Sequence, residues 1–325
     1  MKITRKMIHP QLRLTGILLR LVLGGYSQST LRRLSKITAA MGRKRAAKLR
    51  GMRFEPVFID SSGHRLRLCV YRPLEEVTDT PALLWIHGGG YALGFPEQDE
   101  AFIRRFIKAV PCTVVAPDYR LSPEAPYPAA LDDCMSALLW LRDNAAALGV
   151  RSDKIMVGGD SAGGGLAAAL TIRARDEGRA AISYQMPLYP MLDDRMITES
   201  SRDNNAPVWN SRSNESAWVL YLGSLHRQED VPPTAAPSRL EDFRGLPPAF
   251  TFVGSIEPFR DETIHYFEKL KAAGVNAEYM IFDGCYHAFD MMCPRSEPAK
   301  KAAAALLEHF AYAAENYSAP QPDSR

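Results

Sequence analysis

The first 54 positions contain no Asp or Glu, although they hold 14 of the chain's 40 Lys and Arg. The remainder carries 26 basic against 37 acidic side chains, so a basic arm precedes an acidic body. Close cysteine pairs are also missing. Cys69, Cys112, Cys134, Cys285 and Cys293 are odd in number and scattered, which excludes a zinc-finger spacing and points to reduced thiols in a cytoplasmic setting. Long apolar runs are lacking too: the stretch LRLTGILLRLVLGG, Leu12 to Gly25, is too short to span a bilayer and is interrupted by Arg13 and Arg20. No small-residue cleavage site follows it, so a signal peptide is not expected. Internal repeats and low-complexity blocks are absent as well.

What is present is 325 residues with 46% apolar and 24% charged side chains, enough for one large domain with a buried core. Residues 1–54 read as a helical arm. Two readings of it stay open: an amphipathic element drawn to an anionic membrane surface, or a flap packed on the acidic body, which is the simpler of the two. From about residue 56 the texture becomes β-type, with PVFID and HRLRLCVYRP as early strands. The apolar runs ALLWIH, CTVVAP, KIMVGG, ISYQMPLYP, PAFTFVGSI and AEYMIF then alternate with helical segments at 100–109, 129–148, 162–176, 261–273 and 299–314. Such alternation predicts an α/β fold with a mostly parallel sheet covered on both faces. Residues 191–247 break the rhythm and are expected to form a helical insertion over the sheet's carboxyl edge, making a cap with the arm. Residues 55–315 would be the main α/β domain, and 316–325 a disordered tail.

The stretch VGGDSAGGG, Val157 to Gly165, runs from an apolar strand through Gly159, Asp160, Ser161, Ala162 and Gly163 into an Ala-rich helix. This is the G-x-S-x-G nucleophile elbow in its strand, turn and helix context. Ser161 would be raised at a helix N-terminus, where the amide of Ala162 faces developing negative charge. The competing reading, a glycine turn that cradles phosphate, lacks the expected Gly-Lys-Ser/Thr ending. WIHGGGYALG, Trp85 to Gly94, ends a strand in His87 and three glycines. Its amides at Gly88 and Gly89 would complete an oxyanion hole with Ala162, and His87 would brace the loop. The acid pairs Asp132/Asp133 and Asp193/Asp194 lack the His or Cys that a metal set needs, so neither metal nor cofactor is expected.

With HGGGY (His87 to Tyr91), DYRLSPEAPYPAALDD (Asp118 to Asp133), GDSAGG (Gly159 to Gly164) and EPFRDE (Glu257 to Glu262), the chain resembles the hormone-sensitive-lipase-like family of α/β-hydrolases over about residues 55–315. The resemblance implies an eight-stranded, mostly parallel sheet, a helical cap, and carboxylesterase activity on short to medium acyl esters. A small-molecule ester is the expected partner and nucleic acid is not. Membrane contact through residues 1–54 and pairing into a homodimer are left open, as is a catalytically silent binding protein on the same fold.

A serine nucleophile requires a base, and chain order in this fold runs serine, acid, histidine. His265 and His309 sit within helical patterns, whereas His287 follows a strand by one turn, at the edge where such folds bind ligands. The family usually has Gly after this histidine, and here Ala288 stands instead. Three carboxylates, Glu257, Asp261 and Glu262, lie in VGSIEPFRDE. Glu257 falls on the loop just past the strand and is the expected triad acid, where the family generally has Asp. Asp261 and Glu262 fall at a helix start and are explained by capping or by the helix dipole. Trp209, Trp218 and Tyr221 are candidates to line a substrate pocket.

Overall fold

Thr80–Ile86 is buried at every position, the mark of a strand covered on both faces. It is the third strand (β3) of an eight-stranded sheet in the computed structural model, which describes residues 1–22, 24–44 and 51–322. The other strands are β1 (Arg53–Ser61), β2 (His64–Arg72), β4 (Thr113–Pro117), β5 (Val150–Asp160), β6 (Tyr184–Leu188), β7 (Ala249–Gly254) and β8 (Ala277–Phe282). Their spatial order is β1-β2-β4-β3-β5-β6-β7-β8. β1 and β2 join antiparallel, and every pairing from β4 through β8 is parallel.

Helices cover both faces: α1 (Arg13–Val22), α2 (Gln28–Lys44), α3 (Glu100–Ala109), α4 (Ala129–Asp143), α5 (Ala162–Glu177), α6 (Ser211–Leu222), α7 (Arg260–Ala272), α8 (Phe289–Met292) and α9 (Glu297–Asn316). Alternation along β2 shows how one strand serves two cores. Leu66, Leu68 and Val70 enter the cluster that holds α4 and α5 residues, while Cys69 and Tyr71 enter the one that holds α3 and α9 residues. The helix expected to run to 148 stops at Asp143, where the Asn144 side-chain amide donates to the Trp140 carbonyl at 2.8 Å.

Parallel register sets the site. Ile86 pairs with Gly159, so β3 and β5 end side by side and the chain after each emerges at the same edge. The loops after β7 and β8 open on that edge too, as expected for a ligand site in such a sheet.

Among residues 191–247 only α6 is an α-helix, with two short 3-10 turns beside it. The arm packs against this region: Leu31 shares a buried cluster with Trp209 and Trp218, and the Tyr26 N–H donates to Ser213 Oγ at 2.9 Å. Arm residues 45–50 and tail residues 323–325 lie outside the described residues. The rest of the tail differs from a free end. The Ala319 N–H donates to the Asp153 carbonyl at 2.7 Å, and the Gln321 amide donates to the carbonyls of Ser152 and Ala181 at 2.7 and 2.9 Å. One side-chain amide thus satisfies two backbone acceptors beside β5 and β6, a pairing that composition cannot foretell.

Candidate active site

Ser161, between β5 and α5, has φ 57° and ψ −119°, a conformation an L-residue adopts only under constraint. The constraint is close packing on either side. A Cβ at Gly159 would stand 2.4 Å from the Ile86 carbonyl oxygen, and one at Gly163 would stand 2.0 Å from the same atom. Only glycine fits at both positions, which lets the elbow press against the end of β3.

Three side chains meet there. The His287 Nε2 lies 2.8 Å from Ser161 Oγ, and its Nδ1 lies 2.5 Å from Glu257 Oε2. The second oxygen of Glu257 accepts the Gly254 N–H at 2.8 Å, which ties the carboxylate to the end of β7. Tyr189 and Phe259 hold the imidazole edgewise, with ring centroids 5.0 and 5.1 Å away. All three polar residues are buried, Glu257 completely. The chain order serine, acid, histidine and a hydrogen-bonded line of the three are what general-base activation of a serine requires.

The neighbouring carboxylates are engaged elsewhere. Asp261 is an acceptor for Arg260 Nε at 2.6 Å and for the Ser200 N–H at 2.8 Å. Burial pushes its carboxyl up, but these hydrogen bonds outweigh that and hold it below the usual carboxylate range. Glu262 lies in the first turn of α7, as expected, but its hydrogen bonds go outside the helix. It is buried and accepts the N–H groups of Leu192 and Asp193 at 2.7 and 3.4 Å, clamping the chain as it leaves β6. Burial, with Asp193 beside it, raises its pKa well above the ordinary value. No periodicity could reveal this role, because its partners lie about seventy positions away.

The loop after β3 departs from expectation at one donor. The Gly88 N–H, expected at the oxyanion hole with Gly89 and Ala162, donates to Asp160 Oδ1 at 2.9 Å. A backbone N–H carries one hydrogen, so Gly88 is committed to holding the loop against the elbow. Among the described residues no acceptor is recorded for the amides of Gly89, Gly90 and Ala162. Asp160 is itself deeply buried against Asp99, which accepts the Trp85 indole N–H at 2.9 Å. Burial raises both carboxyl pKa values, and the pair interacts directly. His87 braces the loop as expected. Its Nδ1 lies 2.9 Å from the Gly88 carbonyl oxygen, its ring stacks on Tyr119 at 4.2 Å, and burial pulls its pKa down to about 4, which keeps it neutral.

Ala288, in place of the family's glycine, sits at φ 54° and ψ 31°. This left-handed conformation costs a residue with a Cβ about 1–2 kcal/mol. Ala288→Gly is therefore expected to stabilise the fold by about 0.5–1 kcal/mol after the larger entropy loss of glycine is subtracted. A higher urea midpoint at unchanged m-value is the check.

The other singled-out residues find ordinary places. Asp132 pairs with Arg173 and Asp133 with Arg120, at 2.6 and 2.8 Å; Asp193 and Asp194 pair with Arg195 and Arg239, each at 2.7–2.8 Å. His265 is exposed, and His309 stacks on Phe250 at 3.8 Å. Trp209 covers the site: a Cβ at Gly90 would stand 2.3 Å from its ring, and its ring centroid is 6.5 Å from that of His287. It follows Val208, a β-branched residue at φ 69°, across which the Trp209 N–H donates to the Pro207 carbonyl at 2.9 Å. Such a three-residue turn is strained.

Known proteins resemble this chain in sequence and in fold. A family profile described as alpha/beta hydrolase fold matches residues 83–291. The esterase LipI of Mycobacterium tuberculosis is 34% identical over 230 residues, covering 70% of this chain and 72% of that protein. An arylesterase of Saccharolobus solfataricus is 32% identical over 234 residues, 70% of this chain and 73% of that protein. Among solved structures, a bacterial heroin esterase superposes with a TM-score of 0.86 at 30% identity, over 97% of this chain and 100% of that one. A hyperthermophilic esterase from the archaeon Pyrobaculum calidifontis superposes with a TM-score of 0.80 at 30% identity, over 94% of this chain and 98% of that one. The chain belongs to the α/β-hydrolase fold family, in the hormone-sensitive-lipase-like branch that its HGGG and GDSAG stretches resemble.

Proposed function

We propose that this protein is a carboxylic ester hydrolase that works through a serine acyl-enzyme, with Ser161 as nucleophile, His287 as general base and acid, and Glu257 as the orienting acid. The observation that carries the reading is the line of contacts from Glu257 through His287 to Ser161 at the carboxyl edge of the sheet. The relatives and solved structures named above, all esterases, support the substrate class.

Ser161 Oγ bonds to the ester carbonyl carbon as its proton passes to His287 Nε2. The carbonyl oxygen becomes an oxyanion within reach of the amides of Gly89, Gly90 and Ala162; each such donor is worth ~2.7–4 kcal/mol in the transition state. Collapse breaks the bond to the alkoxy oxygen, which leaves as alcohol with the proton from His287. Water then attacks the acyl-enzyme, giving its proton to His287, and the carboxylic acid departs as Ser161 is reprotonated. The residues around the elbow supply every proton position the cycle uses. A fluorophosphonate should add once, at Ser161, and stop hydrolysis of p-nitrophenyl butyrate. Full activity of the labelled protein would refute the assignment.

A second reading concerns where the enzyme works, and α1 favours it. Leu14, Leu18 and Leu21, at i, i+4 and i+7, share one helix face and are 73%, 56% and 79% exposed. Arg20 Nη2 donates to the Ile3 carbonyl, which brings the exposed Lys2, Arg5 and Lys6 alongside this helix. Apolar side chains rimmed by cations, on an arm without an acid, fit an anionic lipid surface. No helix among the described residues is long and apolar enough to cross a membrane, so the contact would be peripheral. Residues 1–44 and the insertion at 191–247 would then form a cap that faces the lipid. Deleting the arm would expose Ile3, Ile8 and Leu12, which are buried; serine at Leu14, Leu18 and Leu21 is the cleaner test. The protein is expected to sediment with phosphatidylglycerol vesicles at low salt, and both the triple variant and high salt should release it. Indifference to both, or dimerisation in solution through these leucines, would refute the lipid contact.

A further inference from the structure

The face of α6 that covers the loop after β3 holds polar atoms for which the fold offers no partner. Asn214, Ala217, Trp218 and Tyr221 are spaced i, i+3, i+4 and i+7, which places them on one side of the helix. This side meets the loop. The Ala217 Cβ is 3.4 Å from where a Gly90 Cβ would stand, and the rings of Trp218 and Tyr221 lie 5.6 and 3.8 Å from that of Tyr91. Trp209, just before the helix, closes over Gly90 and His287.

Asn214 and Trp218 are wholly buried and Trp209 nearly so. Yet both amide atoms of Asn214 and the indole nitrogens of Trp209 and Trp218 have no hydrogen-bond partner among the described residues. Swapping the amide's nitrogen and oxygen would not help, since both ends are orphaned. Buried polar groups left unpaired cost folding free energy, so native proteins rarely keep several together without a use for them. Trp209 stands over Gly90 and His287, while Trp218 meets Tyr91 and shares with Asn214 the α6 face that packs on the loop after β3.

We infer that the orphaned groups recognise the substrate: the preferred ester carries a second, uncharged carbonyl on its acyl or alcohol side, and this carbonyl is received by Asn214 with the Trp209 and Trp218 indoles. The chemistry follows from the inventory. Two indole N–H groups and the two amide hydrogens of Asn214 stand against one amide oxygen, so the set is rich in donors and suits a group that only accepts. None of the three side chains is charged, so they select a neutral acceptor over a carboxylate. The inference rests on the ester-hydrolase reading and adds a substrate class to it. A plain alkyl ester would leave the donors unpaired in the bound state, and this is where a polar site gains its discrimination.

Two matched pairs of substrates test it. p-Nitrophenyl hexanoate against p-nitrophenyl 4-oxohexanoate probes the acyl side, and n-butyl acetate against 2-oxobutyl acetate probes the alcohol side. The quantity read is the oxo-to-plain ratio of kcat/KM in the unmodified protein, divided by the same ratio in Asn214→Leu and in Trp209→Phe. This cancels the intrinsic reactivity of each ester. On one side or the other the ratio is expected to fall by about fivefold or more in both variants, with kcat/KM for the plain ester rising in Asn214→Leu. A smaller fall on both sides overturns the inference. Asn214→Leu removes an unpaired amide from a buried place, so its melting temperature should not drop. Were that variant to misfold, Trp209→Phe, which keeps an aromatic ring and loses only the donor, decides by the same threshold. Hydrolysis of the plain esters with unchanged ratios overturns the carbonyl subsite alone, whereas no hydrolysis of any of the four overturns the reading of the site beneath it.

Discussion

Ser161→Ala is expected to lower kcat on an activated short-chain ester by about 10⁶-fold, the loss that follows when a triad serine is removed from a serine hydrolase. The size of the effect has a structural reason. Ser161 Oγ is the atom held 2.8 Å from His287 Nε2, and among the described residues no other hydroxyl bonds to that imidazole. The hydroxyl is lost while its surroundings stay. The elbow's backbone is fixed by the Ser161 N–H to Leu188 carbonyl bond at 2.9 Å and by the Met191 N–H to Ser161 carbonyl bond at 3.1 Å, neither of which uses the side chain. The variant should therefore fold, bind ester and retain only the modest acceleration over water that the amides provide. A steady-state assay with active-site titration reads the loss, and a circular dichroism melt reads the fold. Retention of even a tenth of the activity would remove Ser161 from the mechanism. The same assay separates an enzyme from a silent binding protein on this fold, which would show no turnover before the substitution either.

The second large effect distinguishes two acids four residues apart. Glu257→Gln is expected to reduce kcat by about 10⁴-fold, as the Asp-to-Asn change does in a serine triad. A glutamine amide facing His287 Nδ1 can donate to it. This would place the imidazole proton on Nε2, the nitrogen that has to accept from Ser161. The geometry survives and the tautomer is wrong. Asp261→Asn is expected to stay within about threefold of the parent, because its carboxylate faces Arg260 and the Ser200 N–H rather than the imidazole. Partly exposed ion pairs of this kind contribute about 0–1 kcal/mol, so a shift of a few degrees in melting temperature would accompany it at most. Reversal of the two effects would move the orienting role to Asp261. The extra methylene of glutamate relative to the family's aspartate is accommodated by the Gly254 N–H, which holds one oxygen while the other meets the ring.

Much of the architecture was legible in the amino-acid order, because period and punctuation are local properties. The helix expected at 100–109 is α3 without a residue's difference, since its apolar positions recur at helical spacing between a polar turn and β4. The elbow was legible for a different reason: its glycines are dictated by the backbone of β3, and that demand is written in the residue types themselves. The insertion was visible as a loss of rhythm, but its content was not. Only α6 is an α-helix there, and the rest follows a path set by contacts with the arm and the loop after β3.

The roles that escaped the sequence all depend on partners distant in the chain. Gly88 and Gly89 look alike as residues, and only the approach of Asp160 shows that the first amide is committed. Glu262 looks like a helix-start acid until the backbone of Leu192 arrives to claim its carboxylate. The orphaned groups of Trp209, Asn214 and Trp218 are the same kind of fact in reverse, since a missing partner is visible only when every neighbour is in place. By itself the sequence determined the strands, the helices, the serine elbow and the order of serine, acid and histidine, because each rests on spacing along the chain. Tertiary structure decided how the neighbouring carboxylates are engaged, which amides remain free of an acceptor among the described residues and which buried polar atoms are left unpaired there, because hydrogen bonds form between groups that are close in space.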